Sequence, residues 1–513
     1  MNPFRLPLVS VLVLSFALAA MPARGEVKLP NILSSHMVLQ RNRPIHLWGW
    51  ADPGEQVKAA MRGASISTQA STKADALGHW SLDLPEQKAG GPYQVTISGT
   101  NTIVLDDVLI GDVWFASGQS NMQLPLMGFP NSAVVTNGDE EIKNATNPNL
   151  RLLHIPMIGK HYPQRDQGAS WTLCTPETAA SFSAAAYFFG REIAAKEHVP
   201  VGLIDSSYGG TPIAAWMSMG SLGRDASLMP VFEEWAQFSA DHADLTRIVA
   251  EEKREDAAAV AAGRTKPEHP WHPNYDSWTP GWLYNAMVAP AINFPIKGVI
   301  WYQGASDSRL DYAGMYEREF PALIADWRND WREGNFPFLF VQISSFTSTP
   351  QENWAVIREA QRRTLSVANT AMAVTIDIGN PTNVHPADKQ DVGHRLALAA
   401  LDLAYGEQVE DSGPLYRQTS VDGRELRVWF DHDASGLVAK GGPLTGFEIA
   451  GADHKFVPAA ARIEGQSVVV SSPEVAEPKF VRYGWANSPT ANLFNGAGLP
   501  ASPFTSEKQI PKP

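Results

Sequence analysis

The chain has 513 residues, a formal net charge of -13 and one cysteine. Charged residues at 19% and aromatics at 10%, with 16 tryptophans, exclude a disordered chain. The acidic balance excludes a protein built to neutralise nucleic-acid phosphates, and a lone cysteine excludes intrachain disulfides and multi-cysteine metal centres.

Residues 1–25 read as a secretory signal peptide. Arg5 supplies the positive start, 8–21 is an apolar run broken only by serines, and Ala23-Arg24-Gly25 offers small residues for cleavage. No later stretch approaches 18 uninterrupted apolar residues. The expected product is exported, periplasmic or extracellular, with no membrane attachment after cleavage. Residues 26–107 read as a β-sandwich. Runs such as 45–50 and 93–97 alternate between faces, separated by the turn clusters Asp52-Pro53-Gly54 and Gly90-Gly91-Pro92.

Residues 108–408 change character. Strands are predicted at 112–117, 201–206, 298–303, 338–344 and 372–377. Helices are predicted at 182–197, 317–331, 356–367 and 388–405, the last with Gly406 as its C-cap. That alternation calls for an α/β domain with a parallel sheet covered on both faces. Within it, 221–280 reads as an insertion: a solvated helix at 245–262, then the aromatic loop Pro270-Trp271-His272-Pro273-Asn274-Tyr275. Residues 409–513 return to short strands and glycine turns, a second β domain.

Four segments follow strands of the α/β region, where open parallel sheets place their sites. After 112–117 comes Ser117-Gly118-Gln119-Ser120-Asn121-Met122. A serine on a tight glycine turn is held exposed, as a nucleophile must be, although Met122 replaces the second glycine of the hydrolase elbow. After 201–206 comes Tyr208-Gly209-Gly210-Thr211, whose paired glycines can offer N–H groups to a developing oxyanion. After 298–303 comes Gln303-Gly304-Ala305-Ser306-Asp307, where a side-chain amide could act as a further donor. After 372–377 comes Asn380-Pro381-Thr382-Asn383-Val384-His385-Pro386, which brings a general base. Each segment alone has a plain structural reading: an N-capped turn at Ser120, a flexible turn at Gly209-Gly210, a buried glutamine satisfied by backbone groups at Gln303, and a capping or core histidine at His385. Together they satisfy the logic of an acyl-transfer site.

The strings at 111–122, 206–216, 283–307 and 377–396 resemble the sialate O-acetylesterase-like branch of the SGNH hydrolases. So do Ile32-Leu33-Ser34-Ser35-His36-Met37-Val38-Leu39-Gln40 and Trp48-Gly49-Trp50-Ala51-Asp52-Pro53-Gly54. The resemblance implies a flavodoxin-like domain that removes O-acetyl groups from carbohydrates, with β domains on either side. It implies Ser120 as nucleophile, His385 as base, and an oxyanion pocket of the Ser120 N–H, the Gly210 N–H and Gln303. Tyr208, Asp307 and Trp271 are the expected substrate contacts, and no metal or organic cofactor is implied. Acetylated sialic acids, xylan and xyloglucan are the candidate partners; nucleic acid is not.

The chain departs from that pattern at the triad acid, whose usual positions hold Asn383 and Thr382. Ala305, Gln123 and Ala214 or Ala215 also stand where glutamates are familiar. Three readings follow: Asn383 orients His385, or Asp377 or Asp388 reaches in, or catalysis is lost and a carbohydrate-binding protein remains. An esterase for another acyl group is a further alternative. The favoured expectation is a Ser120–His385 dyad supported by Asn383.

Overall fold

The computed structural model describes residues 26–64 and 66–509. The expected leader at 1–25 lies outside the described residues. Six strands open the fold: β1 (Val38–Gln40), β2 (Ile45–Trp50), β3 (Gln56–Arg62), β4 (Ser67–Lys73), β5 (His79–Leu84) and β6 (Gly90–Ser98). β2 pairs with β5 in one layer. In the other, β3 lies between β4 and β6, and β6 pairs with the next strand, β7 (Thr102–Gly118). One-sided burial explains the alternation: β3 hides Val57, Ala59 and Met61 and turns its other residues outward.

β7 is 17 residues long and serves two sheets. Its first residues alternate, and every residue from Val108 onward is buried. The strand thus leaves a layer covered on one side and enters one covered on both. The expected division at 107/108 falls inside this continuous strand, where its environment changes.

The central sheet adds β8 (Asn147–His154), β9 (Thr172–Cys174), β10 (Val201–Ser207), β11 (Gly298–Tyr302), β12 (Phe338–Gln342) and β13 (Thr370–Val374). Its order is β13-β12-β11-β7-β10-β8-β9, with every pairing parallel except β8–β9. Adjacent residues of β7 show why both faces need helices. Trp114 meets Phe189 of the helix Ala184–Glu197 edge-on at 5.0 Å, and Phe115 meets Trp327 of the helix Tyr316–Trp331 at 5.6 Å. β8 and β9 were not foreseen, because Asn147-Pro148-Asn149 carries the composition of a turn.

From β7 the chain builds one side of the sheet with β8, β9 and β10, then crosses to build β11, β12 and β13 on the other. The crevice of such a reversal lies at the carboxyl end of the central strand. Register makes this concrete: Gly118, the last residue of β7, sits opposite both Ser207 and Tyr302. The loops after all three strands therefore open at one level.

Residues 412–505 form two four-stranded antiparallel sheets around a core of their own, including Leu426, Phe430, Ile449, Val470, Tyr483 and Phe504. The tie to the central domain is largely polar. Arg358, wholly buried, donates to the carbonyls of Ile343 and Ser344 on one side and of Ala486 and Asn487 on the other, at 2.7–2.9 Å. Among the described residues, no helix is long and apolar enough to cross a membrane.

Candidate active site

Ser120 begins the short helix Ser120–Gln123 directly after β7. The turn needs glycine at 118, which adopts φ +136°, and a Cβ there would stand 2.2 Å from the Tyr302 carbonyl oxygen. Gln119 secures the turn by accepting the N–H groups of Gly304 and Ser306, at 3.1 and 3.3 Å. The Ser120 N–H, at the start of its helix, has no intrahelical acceptor.

The loop after β10 closes on this turn. The Gly209 N–H donates to Gln123 Oε1 at 2.7 Å. Gly210 adopts φ +71°, and its N–H meets no acceptor among the described residues. Ser120 and Gly210 line one cavity of about 920 Å³, together with Gln119, Trp271, Asn383 and His385.

His385 sits in the loop between β13 and the helix Lys389–Tyr405. Its backbone N–H donates to Asn383 Oδ1 at 2.9 Å, while Asn383 Nδ2 donates to the Ser132 carbonyl at 2.8 Å. Asn383 therefore holds the backbone of His385, not its ring. The imidazole packs edge-on against Phe129 at 5.5 Å, and its Nε2 is buried without a hydrogen-bond partner among the described residues. Burial, and secondarily the charge of Lys389, push it down to about 4, so at neutral pH it is an uncharged base. The other two acid candidates are engaged elsewhere. Asp377 takes both terminal nitrogens of Arg395 at 2.6 and 2.8 Å, and Asp388 caps the helix through the Asp391 N–H at 2.9 Å.

The remaining expected residues divide between cavity and support. Gln303 is fully buried: its Nε2 donates to the Thr211 carbonyl at 3.0 Å and to Asp307, and its Oε1 accepts from Tyr316 at 2.9 Å. With no free donor it braces the 208–213 loop from beneath. Asp307 joins that brace by accepting the Ile213 N–H at 3.0 Å, and burial followed by the charge of Glu234 raises its carboxyl well above the usual range. Tyr208 accepts from Asn274 Nδ2 at 2.7 Å and so anchors the aromatic loop. Trp271, 74% exposed, reaches the cavity from that loop and lies against Gly210. Of the neighbouring tryptophans, Trp278 stacks on Phe238 at 4.2 Å and donates to the Gly210 carbonyl at 2.8 Å, while Trp282 packs against Gly159.

A fifth segment, at 344–354 after β12, was overlooked. It contributes Phe346, Glu352 and Trp354 to the cavity wall. Its position beyond the carboxyl end of a predicted strand was the signal available. Cys174 is buried away from the cavity, donates to the Ala145 carbonyl at 3.0 Å, and has a thiol pushed up to about 11 by burial. A hydroxyl on a tight turn, two backbone N–H groups and a neutral imidazole in one cavity are the parts of an acyl-transfer centre.

Comparison with known proteins agrees with that chemistry. Residues 257–402 match the family model described as carbohydrate esterase, sialic acid-specific acetylesterase. The chain is 32% identical over 452 residues to the sialate O-acetylesterase of Homo sapiens, covering 80% of this chain and 77% of that protein. It is 28% identical over 546 residues to that of Rattus norvegicus, covering 97% and 98%. The crystal structure of a carbohydrate acetylesterase from Xanthomonas citri superposes with a TM-score of 0.80 at 37% identity, covering 94% of this chain and 100% of that one.

Proposed function

The chain belongs to the sialate O-acetylesterase family and is a carbohydrate O-acetylesterase; from that premise we propose that Ser120 is its nucleophile and His385 its base. The observation that carries this reading is the shared cavity, lined by both Ser120 and His385, whose uncharged imidazole has an Nε2 with no hydrogen-bond partner among the described residues. His385 takes the Ser120 proton as the hydroxyl attacks the acetyl carbonyl. The N–H groups of Ser120 and Gly210 receive the oxyanion, with Gln303 holding the 208–213 loop in place. The tetrahedral adduct collapses to acetyl-serine as His385 returns the proton to the departing sugar hydroxyl. Water, deprotonated by the same imidazole, then releases acetate.

Asn383 acts through the backbone of His385. Trp271 offers the flat apolar face that a sugar ring stacks on, and a cavity of this size has room for sugar beyond the acetyl group. Acetylated sialic acid, xylan and xyloglucan fragments are the substrates to compare. The protein acts after export, as a β module at 26–107, a catalytic domain at 108–408 and a β domain at 409–513. The mass of the exported chain tests removal of 1–25.

Acetate release from an aryl acetate tests the site. Ser120→Ala and His385→Ala should each lose about 10⁶ in kcat, by analogy with removal of a triad nucleophile or base. Asn383→Ala should lose less than His385→Ala, because the ring keeps its basicity. Wild-type turnover in folded Ser120→Ala would sink the assignment.

A further inference from the structure

The helix after His385 begins with Lys389, whose side chain is completely buried. Burying an ammonium is costly unless it is well partnered. Its Nζ donates to Asn121 Oδ1 at 2.6 Å and lies 5.3 Å from the centre of the Tyr302 ring. The same Asn121 amide donates from Nδ2 to the Val384 carbonyl at 2.9 Å. Asn121 is the chain neighbour of Ser120, and Val384 is the chain neighbour of His385. One amide therefore joins the turn that carries the hydroxyl to the loop that carries the imidazole.

The lysine decides which way that amide faces. An ammonium has only donors, so the Asn121 oxygen must turn toward it and the Asn121 N–H₂ toward Val384. A flipped amide would set N–H₂ against ammonium and oxygen against carbonyl. Together with the Asn383–His385 contact, this holds both the C=O and the N–H of the 384–385 peptide bond immediately before the base.

We propose that Lys389 and Asn121 are positioning residues that hold His385 against Ser120 through the backbone, in the place of a carboxylate acting on the ring. The proposal rests on the reading of Ser120 and His385 as nucleophile and base. Lys389 has a second, electrostatic effect. The charged group acting on His385 is Lys389; burial, opposed by the charge of the helix-capping Asp388, pushes Lys389 itself down to about 7, so it is charged in the acid range where His385 titrates. The other partners facing the pair, Phe129, Asn121 and Tyr302, are uncharged. Lys389 thus disfavours imidazolium and helps keep His385 a free base.

Lys389→Met and Asn121→Asp, with Ser120→Ala as control, test the proposal on an aryl acetate. Lys389→Met removes the ammonium; Asn121→Asp keeps a partner for it but has no N–H₂ for Val384. Each should lower kcat about 10- to 100-fold, as small misplacements in active sites do, with KM within about 3-fold. In Lys389→Met the acid limb of the kcat/KM profile should move to higher pH, yet stay below the ordinary imidazole range because burial, the larger cause, remains. A merely structural lysine would leave that limb in place. Turnover within about 2-fold of wild type in folded Lys389→Met, with an unmoved limb, overturns the proposal while an inactive Ser120→Ala leaves the site reading intact. If Lys389→Met does not fold, Asn121→Asp decides by its kcat. An active Ser120→Ala overturns the site reading and this proposal together.

Discussion

At the scale of the residue, the imidazole of His385 departs furthest from expectation. A base oriented by a carboxylate is normally easier to protonate, because the anion stabilises imidazolium. Here burial and a nearby lysine work in the other direction and hold it at about 4. The sign is direct: lowering the pH protonates and disables the base only near that value, so the acid limb of kcat/KM should fall near pH 4 and not near the ordinary histidine value of about 6.5. A pH–rate profile on an aryl acetate measures this, and a limb near 6.5 would show that the imidazole is solvated or paired in solution. That Ser120, Gly210 and His385 meet at one cavity was legible in the sequence because each follows a strand. That Gln303 spends its amide beneath the loop, and that Asn383 turns its Oδ1 to the His385 N–H while its Nδ2 goes to Ser132, depends on partners 92 and 251 residues distant.

At the scale of the element, the sheet explains the site. β7 leads into Ser120, the proposed nucleophile, and β10 and β11 flank it in parallel and end level with Gly118. The cavity wall at 344–354 is set by an element of another kind. Asn487, from the C-terminal domain, accepts the Trp354 N–H at 2.9 Å and the Phe346 N–H at 3.2 Å, and donates to the Glu352 carbonyl at 3.1 Å. Arg358 ties the same junction through four carbonyls. Replacing it with methionine leaves those carbonyls buried and unsatisfied, which should cost about 3 kcal/mol or more. Urea unfolding of Arg358→Met measures the cost; an unchanged midpoint would mean that the junction is held by packing. The strands β7, β10, β11, β12 and β13 were legible as short apolar runs. β8 and β9 were not, since they complete the sheet's edge with residues that locally favour turns.

At the scale of the whole molecule, the acidic, tryptophan-rich chain first noted is a catalytic sheet with additions on three sides. The insertion matters most for substrate. Its helices Pro230–Asp241 and Leu245–Ala261 carry the loop that brings Trp271 to the cavity. Trp271→Ala should lower kcat/KM on an acetylated oligosaccharide about 5- to 30-fold, consistent with about 1–2 kcal/mol for loss of an aromatic contact, and leave aryl acetate hydrolysis nearly unchanged. Equal losses on both substrates would place Trp271 in the support of Gly210 and not under the sugar. By itself the sequence determined the strand–helix alternation, the glycine turn before Ser120 and the family, because periodicity and short strings are local properties of the chain. Only the tertiary structure decided what supports His385, since Asn121, Lys389 and Ser132 acquire their roles through hydrogen bonds across the fold, made specific by burial that leaves each polar group few alternatives.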